Sequence, residues 1–256
     1  MLSLKQRLLQ KDEAPLLGAF IGLAEPALVE MVGRAGFDFV ILDGEHGCFH
    51  PVRLEECLRA ADIVDLPSVV RLPQMDPTAI QAAMDSGAHG IQIPSVETPE
   101  QAKAAVSSSR FPPLGSRGYG STTRATGYGF RNRGEVMEIA KSRNFVNVQI
   151  ETKLGVDNLA GILEVEGTDS IFIGTSDLSL EFGYQSPTAP EMDPLLEKIT
   201  GQVAEAGKVC GVHIVDWQSI DKHASLGVRY FTVSALAVMG SALNDLTNGF
   251  RKQIGS

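Results

Sequence analysis

Cysteine, tryptophan and long apolar runs are all scarce in this sequence. Its 256 residues include 3 cysteines, Cys48, Cys57 and Cys210, and 1 tryptophan. An odd number of cysteines without zinc-type spacing argues against a disulfide framework or a structural zinc site, and it favours reduced thiols in a cytoplasm. No segment approaches the roughly 18 apolar residues of a membrane span, and residues 1–10 favour a short amphipathic helix over an export signal. We therefore expect a cytoplasmic protein that does not associate with membranes.

Positive charge is scarce as well. The chain carries 22 Lys and Arg residues against 31 Asp and Glu residues, which gives a formal net charge of −9. Since this balance offers no overall field that attracts nucleic acid, we expect small-molecule partners and no nucleic acid. An anionic substrate would have to meet local cations. With 43% hydrophobic and 21% charged residues, the composition is typical of a globular protein with a sizeable core.

The sequence does contain a regular alternation of apolar strand-like runs with helix-like segments. We predict strands at residues 17–21, 39–42, 68–72, 90–94, 145–150, 170–173, 209–214 and 229–233. We predict helices between them at residues 26–35, 54–61, 78–84, 99–106, 156–165, 194–206 and 219–226. Proline after a capping residue marks helix starts, as at Asp76–Pro77, and glycine marks helix ends, as at Gly87. Eight β/α units predict one domain over residues 1–256, an α/β fold of the (β/α)8 TIM-barrel class.

Residues 39–47 are the strongest indication of a functional site. Four apolar residues are followed abruptly by Asp43, Glu45 and His46. Ligands of parallel sheets bind beyond the carboxyl ends of the strands, so these side chains are candidate site residues. The alternative is that the acids cap a helix. Cys48 is a weaker candidate nucleophile, because the sequence offers it no obvious partner.

Three further strand ends bring charge to the same predicted face. Arg71 ends the third strand, Glu151 follows the fifth and Asp177 follows the sixth. Arginine after an apolar strand needs an anion, which is either a structural salt-bridge partner or a substrate. Glu151 and Asp177 offer oxygen ligands that suit a hard divalent ion such as Mg²⁺ or Mn²⁺, although Asp177 is also placed to cap a helix.

Residues 111–134 interrupt the alternation. The segment is rich in glycine and contains Arg117, Arg124, Arg131 and Arg133. A long irregular segment inside a barrel favours a functional loop or lid. The alternative is a mobile solvent loop whose arginines keep it soluble.

Taken together, these motifs resemble the HpcH/HpaI family of metal-dependent (class II) pyruvate aldolases, over nearly the full length of the chain. The matching motifs, in the family's order, are Asp43-x-Glu45-His46-Gly47, Val70-Arg71, Gly115-x-Arg117-Gly118-x-Gly120, Gln149-Ile150-Glu151 and Gly174-x-x-Asp177-Leu178. The sequence departs from the family at residues 174–177, where relatives usually carry proline followed by alanine or asparagine.

The resemblance implies a reaction and a cofactor. It implies reversible cleavage of 4-hydroxy-2-oxo acids to pyruvate and an aldehyde, with Mg²⁺, Mn²⁺ or Co²⁺ as cofactor. Glu151 and Asp177 would bind the metal, while Gln149 and the backbone at Ser176 and Asp177 would hold pyruvate. A CoA-thioester lyase of the citrate lyase or malyl-CoA type is the alternative enzyme, although no nucleotide-binding surface is evident. A catalytically silent protein that binds a keto acid is the alternative outside enzymes.

The resemblance also implies catalytic roles for three side chains. His46 would be the base, Arg71 would stabilise the enolate, and Asp85 would raise the basicity of His46. Retention of both His46 and Arg71 argues against a silent relative. The predicted topology places Asp85 at the end of the third helix on the opposite face of the barrel, so its contact with His46 requires an irregular turn or a neighbouring subunit.

The final segment, residues 242–253, places Leu243, Leu246 and Phe250 on one helical face. The resemblance implies a homohexamer, built as a trimer of dimers, in which this helix is exchanged between subunits. Gly240–Ser241 would be the flexible break before it. The alternative is that the helix covers its own barrel.

Overall fold

The barrel predicted from the alternation is present. The structure, a computed structural model, describes residues 2–10, 13–215 and 217–255. In this part of the chain, parallel strands close in the order β1 to β8. The strands are β1 Leu16–Ile21, β2 Phe39–Asp43, β3 Ser68–Arg71, β4 Gly90–Ile93, β5 Phe145–Ile150, β6 Ser170–Ile173, β7 Val209–His213 and β8 Val228–Ser234. The predicted (β/α)8 fold class is confirmed.

Helices connect the strands and precede or follow the barrel, and most of those between strands cover its outside. They are α1 Leu4–Leu9, α2 Pro26–Arg34, α3 Pro51–Ile63, α4 Pro77–Asp85, α5 Pro99–Ser109, α6 Arg133–Arg143, α7 Lys153–Asp157, α8 Leu159–Leu163, α9 Thr175–Glu181, α10 Met192–Glu205, α11 Ile220–Ser225 and α12 Ala235–Ile254. Proline occupies the first turn of α4, and Asp76 caps that helix by accepting from the backbone of Thr78. The predicted helix at residues 156–165 is instead two short helices, α7 and α8, that meet at Asn158.

Aromatic side chains fill the barrel interior near the amino-terminal ends of the strands. The Tyr230 ring stacks on Phe39 with ring centroids 4.3 Å apart, and Phe145 and Phe172 lie 5.7 and 6.0 Å from it. Gly18 makes room for this layer, because a Cβ there would lie 2.1 Å from the Phe39 ring. Phe39 and Phe145 are the first residues of their strands, so the layer closes the amino-terminal end and leaves space for ligands at the carboxyl end.

The C-terminal helix does not cover its own barrel. Helix α12 is continuous over 20 residues, and Ala235 is its one buried residue. Gly240–Ser241 lies inside it, so the predicted flexible break is wrong. A glycine costs a helix only about 1 kcal/mol relative to alanine, and the alanines, leucines and methionine around it are strong helix formers. Within the described residues, no helix is both long and apolar enough to cross a membrane.

Candidate active site

A cavity of about 350 Å³ opens at the carboxyl ends of the strands. It collects residues from seven of the barrel strands or the turns that follow them. The lining residues are Phe20, Asp43, His46, Arg71, Gln149, Phe172, Gly174, Thr175, Ser176, Asp177, His213 and Ser234. A groove of about 690 Å³ beside Pro112, Pro113 and Met137 is larger. It lies beside α1, α5 and α6 on the flank of the barrel, so the smaller cavity, at the carboxyl ends of the strands, is the candidate site.

Asp43 organises the turn that carries His46. The Asp43 side chain ends β2 and is buried, and its Oδ1 accepts hydrogen bonds from the backbone N–H groups of Glu45 at 3.1 Å and His46 at 3.2 Å. The capping alternative is therefore correct in part, although Asp43 caps this turn and not a helix. The exposed His46 side chain projects from a turn that a buried carboxylate holds in place.

Arg71 binds two of the predicted site acids. Its Nε and Nη2 donate to the carboxylate of Asp43 at 2.8 and 2.7 Å, while Nη1 lies 2.9 Å from Oε2 of Glu45. Burial raises the pKa of Asp43, but the hydrogen bonds and charge of Arg71 outweigh it, so this pKa lies below its ordinary value. Three guanidinium contacts go to protein carboxylates, which leaves two N–H groups of Arg71 for a ligand in the cavity.

Glu45 is held less tightly than Asp43. Burial raises the pKa of Glu45; Arg71 opposes this effect, and the nearby carboxylate of Glu151 adds to it. Its Oε2 lies 3.8 Å from Nε2 of His46. In the described part of the chain, this oxygen has no well-aligned hydrogen-bond donor, so its contact with Arg71 is chiefly electrostatic.

Glu151 is buried and fixed through both carboxylate oxygens. Its Oε1 accepts from the backbone N–H and the hydroxyl of Ser95 at 2.7 and 2.8 Å, and its Oε2 accepts from the Gln149 side-chain amide. Ser95 reaches this oxygen from a left-handed backbone conformation, with φ of 50°. Such a conformation costs a non-glycine residue on the order of 1 kcal/mol and is typical of functional sites.

Asp177 approaches from the first turn of α9. The helix begins directly after Gly174, where a Cβ would lie 2.5 Å from Cβ of Glu151. This glycine therefore lets the start of α9 lie against the Glu151 side chain. Asp177 is exposed, lines the cavity and makes no side-chain cap of α9. The capping alternative for Asp177 is wrong.

The donor set fits a hard divalent cation. Asp43 and Asp177 line the cavity, the carboxylates of Glu45 and Glu151 interact electrostatically beside it, and Arg71 pairs with Asp43 and Glu45. Carboxylate oxygens are the ligands that Mg²⁺ and Mn²⁺ prefer. Among the described residues, no group of three or more His, Cys, Asp or Glu side chains is arranged to hold a metal. An ion held by Glu151 and Asp177 would therefore take its other ligands from substrate and water.

Asp85 is not near His46 within one chain. It ends α4, and Arg117 donates to its Oδ1 at 2.6 Å. Residues 111–134 pack beside this helix end, where Arg124 donates to the carbonyl oxygen of Ser86 at 2.8 Å. The segment therefore lies beside α4, away from the cavity of its own barrel.

His213 is a cavity residue that the sequence analysis missed. It ends β7, and its ring lies edge-on to Phe20 with centroids 5.7 Å apart. Burial lowers the pKa of His213 and the charge of Arg71 lowers it further, so the ring is neutral near pH 7. Its Nδ1 lies 3.2 Å from the Thr232 hydroxyl, which donates to the carbonyl oxygen of Val212. The available signal was a histidine at the end of an apolar strand.

Comparison with known proteins assigns the family. The family described as HpcH/HpaI aldolase/citrate lyase matches residues 16–241. The chain belongs to this family. The family predicted from the motifs is confirmed, as is the expectation of a carbon–carbon lyase. Dependence on a divalent metal is general among its members.

Individual HpcH/HpaI relatives are similar over most of the chain. The 4-hydroxy-2-oxo-heptane-1,7-dioate aldolase of Shigella sonnei is 35% identical, with 87% of this chain and 85% of the relative covered. The hydroxypyruvate/pyruvate aldolase of Roseobacter denitrificans is 34% identical, with 86% of each covered. The crystal structure of a family protein from Burkholderia cenocepacia matches with a TM-score of 0.89 at 31% identity, covering 97% of this chain and 98% of that one.

Proposed function

We propose that the protein is a metal-dependent class II aldolase that cleaves 4-hydroxy-2-oxo acids to pyruvate and an aldehyde, and that catalyses the reverse addition. The observation that carries the proposal is the convergence of His46, Arg71, Gln149 and Asp177 on one cavity, with Glu151 against its wall at Gly174. The aldolases of Shigella sonnei and Roseobacter denitrificans support the same reaction class.

Glu151 and Asp177 would hold Mg²⁺, Mn²⁺ or Co²⁺. When bound, such an ion polarises a keto oxygen and stabilises the negative charge that develops there. The hydrogen bonds from Ser95 fix Glu151 before substrate arrives, so the carboxylate needs little reorganisation. No lysine has to form a Schiff base.

His46, Arg71 and Gln149 would carry the steps on the substrate. Gln149 and the backbone at Ser176 and Asp177 hold the 2-oxo acid. His46 takes the proton of the 4-hydroxyl group; the C3–C4 bond breaks, and its electron pair moves to C2–C3 and on to the keto oxygen. The aldehyde leaves, and the free N–H groups of Arg71 stabilise the enolate oxygen. Protonation of C3 then gives pyruvate.

The functional unit would be a cytoplasmic homohexamer, built as a trimer of dimers. Helix α12 leaves a large apolar surface exposed on the protomer, at Leu236, Val238, Met239, Leu243, Leu246, Phe250 and Ile254. A partner subunit that receives this helix would bury it. Asp85, which is distant from His46 of its own chain, would pair with His46 of a neighbouring subunit.

Turnover assays separate the proposal from its alternatives. The purified protein is given Mn²⁺ and a panel of 4-hydroxy-2-oxo acids, and pyruvate release is followed by coupling to lactate dehydrogenase. Parallel reactions contain malyl-CoA. We expect cleavage of at least one 4-hydroxy-2-oxo acid and none of malyl-CoA. Malyl-CoA cleavage alone would make the protein a CoA-thioester lyase, and pyruvate binding without any turnover would make it a keto-acid-binding protein.

A further inference from the structure

A row of buried amide side chains runs through the barrel interior to the candidate active site. Asn147, Gln92 and Gln149 are all at most 3% exposed. Nδ2 of Asn147 donates to Oε1 of Gln92 at 2.8 Å, and Nε2 of Gln92 donates to Oε1 of Gln149 at 2.7 Å. Nε2 of Gln149 then donates to Oε2 of Glu151. We call Asn147, Gln92 and Gln149 the amide relay.

The direction of the relay follows from the chemistry of its end. An ionised carboxylate is acceptor-only, so Glu151 requires the N–H side of the Gln149 amide. This orientation directs Oε1 of Gln149 toward Gln92, so Gln92 must donate to it through Nε2. The Gln92 carbonyl oxygen in turn requires the Nδ2 of Asn147. In this orientation Gln92 and Gln149 are each paired at both ends of the amide, Asn147 is paired through Nδ2, and all the donors point toward the active site.

This direction determines what Gln149 can offer to a ligand. Its Oε1 is occupied by Gln92, and one N–H of its Nε2 is occupied by Glu151. One N–H remains, and Gln149 lines the cavity. An N–H group recognises an acceptor such as the carboxylate or keto oxygen of a 2-oxo acid. The relay therefore keeps Gln149 as a donor to substrate and prevents it from rotating its carbonyl oxygen toward the cavity or Glu151.

We infer that Gln92 and Asn147 are positioning residues, which hold the Gln149 amide in the orientation that binds the oxygen atoms of a 2-oxo acid. The inference rests on the proposed aldolase function. Neither residue lines the cavity, so each acts through Gln149. Glu151 has separate support from Ser95, and this predicts that loss of the relay weakens binding of the 2-oxo acid much more than binding of the metal.

The test compares Gln92→Leu, Gln92→Glu and a control, Ser170→Ala. Ser170 is fully buried beside Asn147 in the sheet register, and its hydroxyl has no hydrogen-bond partner among the described residues. The dissociation constants for Mn²⁺ alone and for pyruvate in the presence of Mn²⁺ are measured by titration calorimetry. For Gln92→Leu we expect the pyruvate constant to rise about tenfold or more, the scale of one lost hydrogen bond, while the Mn²⁺ constant changes less than about threefold. Ser170→Ala should change neither constant.

Gln92→Glu adds a readout that a purely structural role would not produce. A protonated carboxyl group in place of the amide can accept from Asn147 and donate to Gln149, which keeps the relay intact. Once ionised, it can only accept, so it draws the Gln149 N–H away from Glu151. The charged groups that face the introduced carboxyl group are Arg71, its register partner on β3, and Glu151. Tyr230 adds no charge, because burial raises its pKa well above the ordinary value. We therefore expect near-normal pyruvate affinity at low pH and a loss of about tenfold or more as the introduced group ionises, beyond any change in wild type.

The outcomes separate the inference from the proposed function. If wild type binds neither Mn²⁺ nor pyruvate, the proposed function fails and the inference fails with it. If wild type binds both and the Gln92 variants match Ser170→Ala at every pH, only the inference is overturned. Equal losses of Mn²⁺ and pyruvate affinity also overturn it, because they indicate general damage to the site. Should Gln92→Leu not fold, the pH profile of Gln92→Glu decides alone.

Discussion

Changing Arg71 to alanine should affect stability and turnover by separable amounts. In the folded protein, Arg71 makes a two-bond contact with Asp43 and a third contact with Glu45, and Asp43 is only 6% exposed. Removing the guanidinium leaves a buried carboxylate uncompensated, which costs about 3–5 kcal/mol of unfolding free energy. Loss of one oxyanion donor should lower turnover by about 10² or more, equivalent to roughly 2.7 kcal/mol in the activation barrier.

The stability loss should depend on pH in a defined direction. In wild type the pKa of Asp43 lies below its ordinary value of 3.8 because Arg71 outweighs the effect of burial. A lowered carboxyl pKa contributes stability that is present above the unfolded-state value and is lost as pH falls through the folded-state value. In Arg71→Ala nothing comparable opposes burial, so the pKa of Asp43 should rise and the buried carboxyl should take up a proton at a higher pH than in wild type. The difference in unfolding free energy between the two proteins should therefore be largest near pH 7 and should shrink as pH falls toward 4.

The assays are urea unfolding at pH 7 and pH 4.5, and pyruvate release with a 4-hydroxy-2-oxo acid at saturating Mn²⁺. Arg53→Ala is the matched control, since Arg53 pairs with Glu56 on the exposed face of α3. It should leave turnover and the unfolding midpoint unchanged. Arg71→Lys keeps the positive charge but lacks the planar guanidinium group, so its turnover and its unfolding free energy should lie between those of wild type and Arg71→Ala. A folded Arg71→Ala protein with near-normal turnover would refute the reasoning, because Arg71 would then be only a structural partner of Asp43.

Chelation should abolish activity, Mg²⁺, Mn²⁺ or Co²⁺ should restore it, and borohydride should trap no substrate on the protein; metal-independent activity or a trapped lysine adduct would exclude a class II mechanism. Burial, aided by Arg143 and Arg124, lowers the pKa of His89 well below 6.5, so the unfolded chain binds more protons below that pH. Unfolding free energy should then fall by up to about 1.4 kcal/mol per pH unit as pH drops below 6.5. His89→Asn keeps an acceptor for the Ser68 N–H. In urea titrations at matched protein concentration, the unfolding free energy of this variant should depend less steeply on pH. Deleting residues from Ala242 onward should lower the native mass measured by light scattering, and a wild-type protein that is monomeric at micromolar concentration would contradict the proposed assembly.

The site residues at the strand ends could be predicted because the apolar runs that mark the strands also mark where the polar site residues follow. Each parallel strand is an apolar run, so the polar residue that ends it is conspicuous and lies at the ligand-binding end of the barrel. Asp43, Arg71 and Asp177 were found in this way, and the structure brings them to one cavity. The same reasoning placed Asp85 at the end of its helix, on the barrel face opposite His46, and in the structure Asp85 is the last residue of α4.

Other parts of the site depend on contacts that no local pattern encodes. Gln92 is an inward-facing amide on a short apolar strand, and its partners come from β5, more than fifty residues away. The left-handed backbone of Ser95 is an uncommon conformation for a residue other than glycine. Helix α9 is absent from the predicted helices because its residues directly follow the sixth strand, although the capping alternative for Asp177 placed the start of a helix there.

The most direct test of the account is metal-dependent exchange of the pyruvate methyl protons with deuterated solvent, followed by proton NMR. Enolate formation is common to every aldehyde acceptor, so the measurement does not require the natural aldehyde. We predict that the methyl signal disappears with wild type and Mg²⁺, persists after chelation, and persists with Glu151→Gln, which removes a proposed ligand charge. Exchange that continues without a divalent metal, or that is unaffected by Glu151→Gln, would contradict the account.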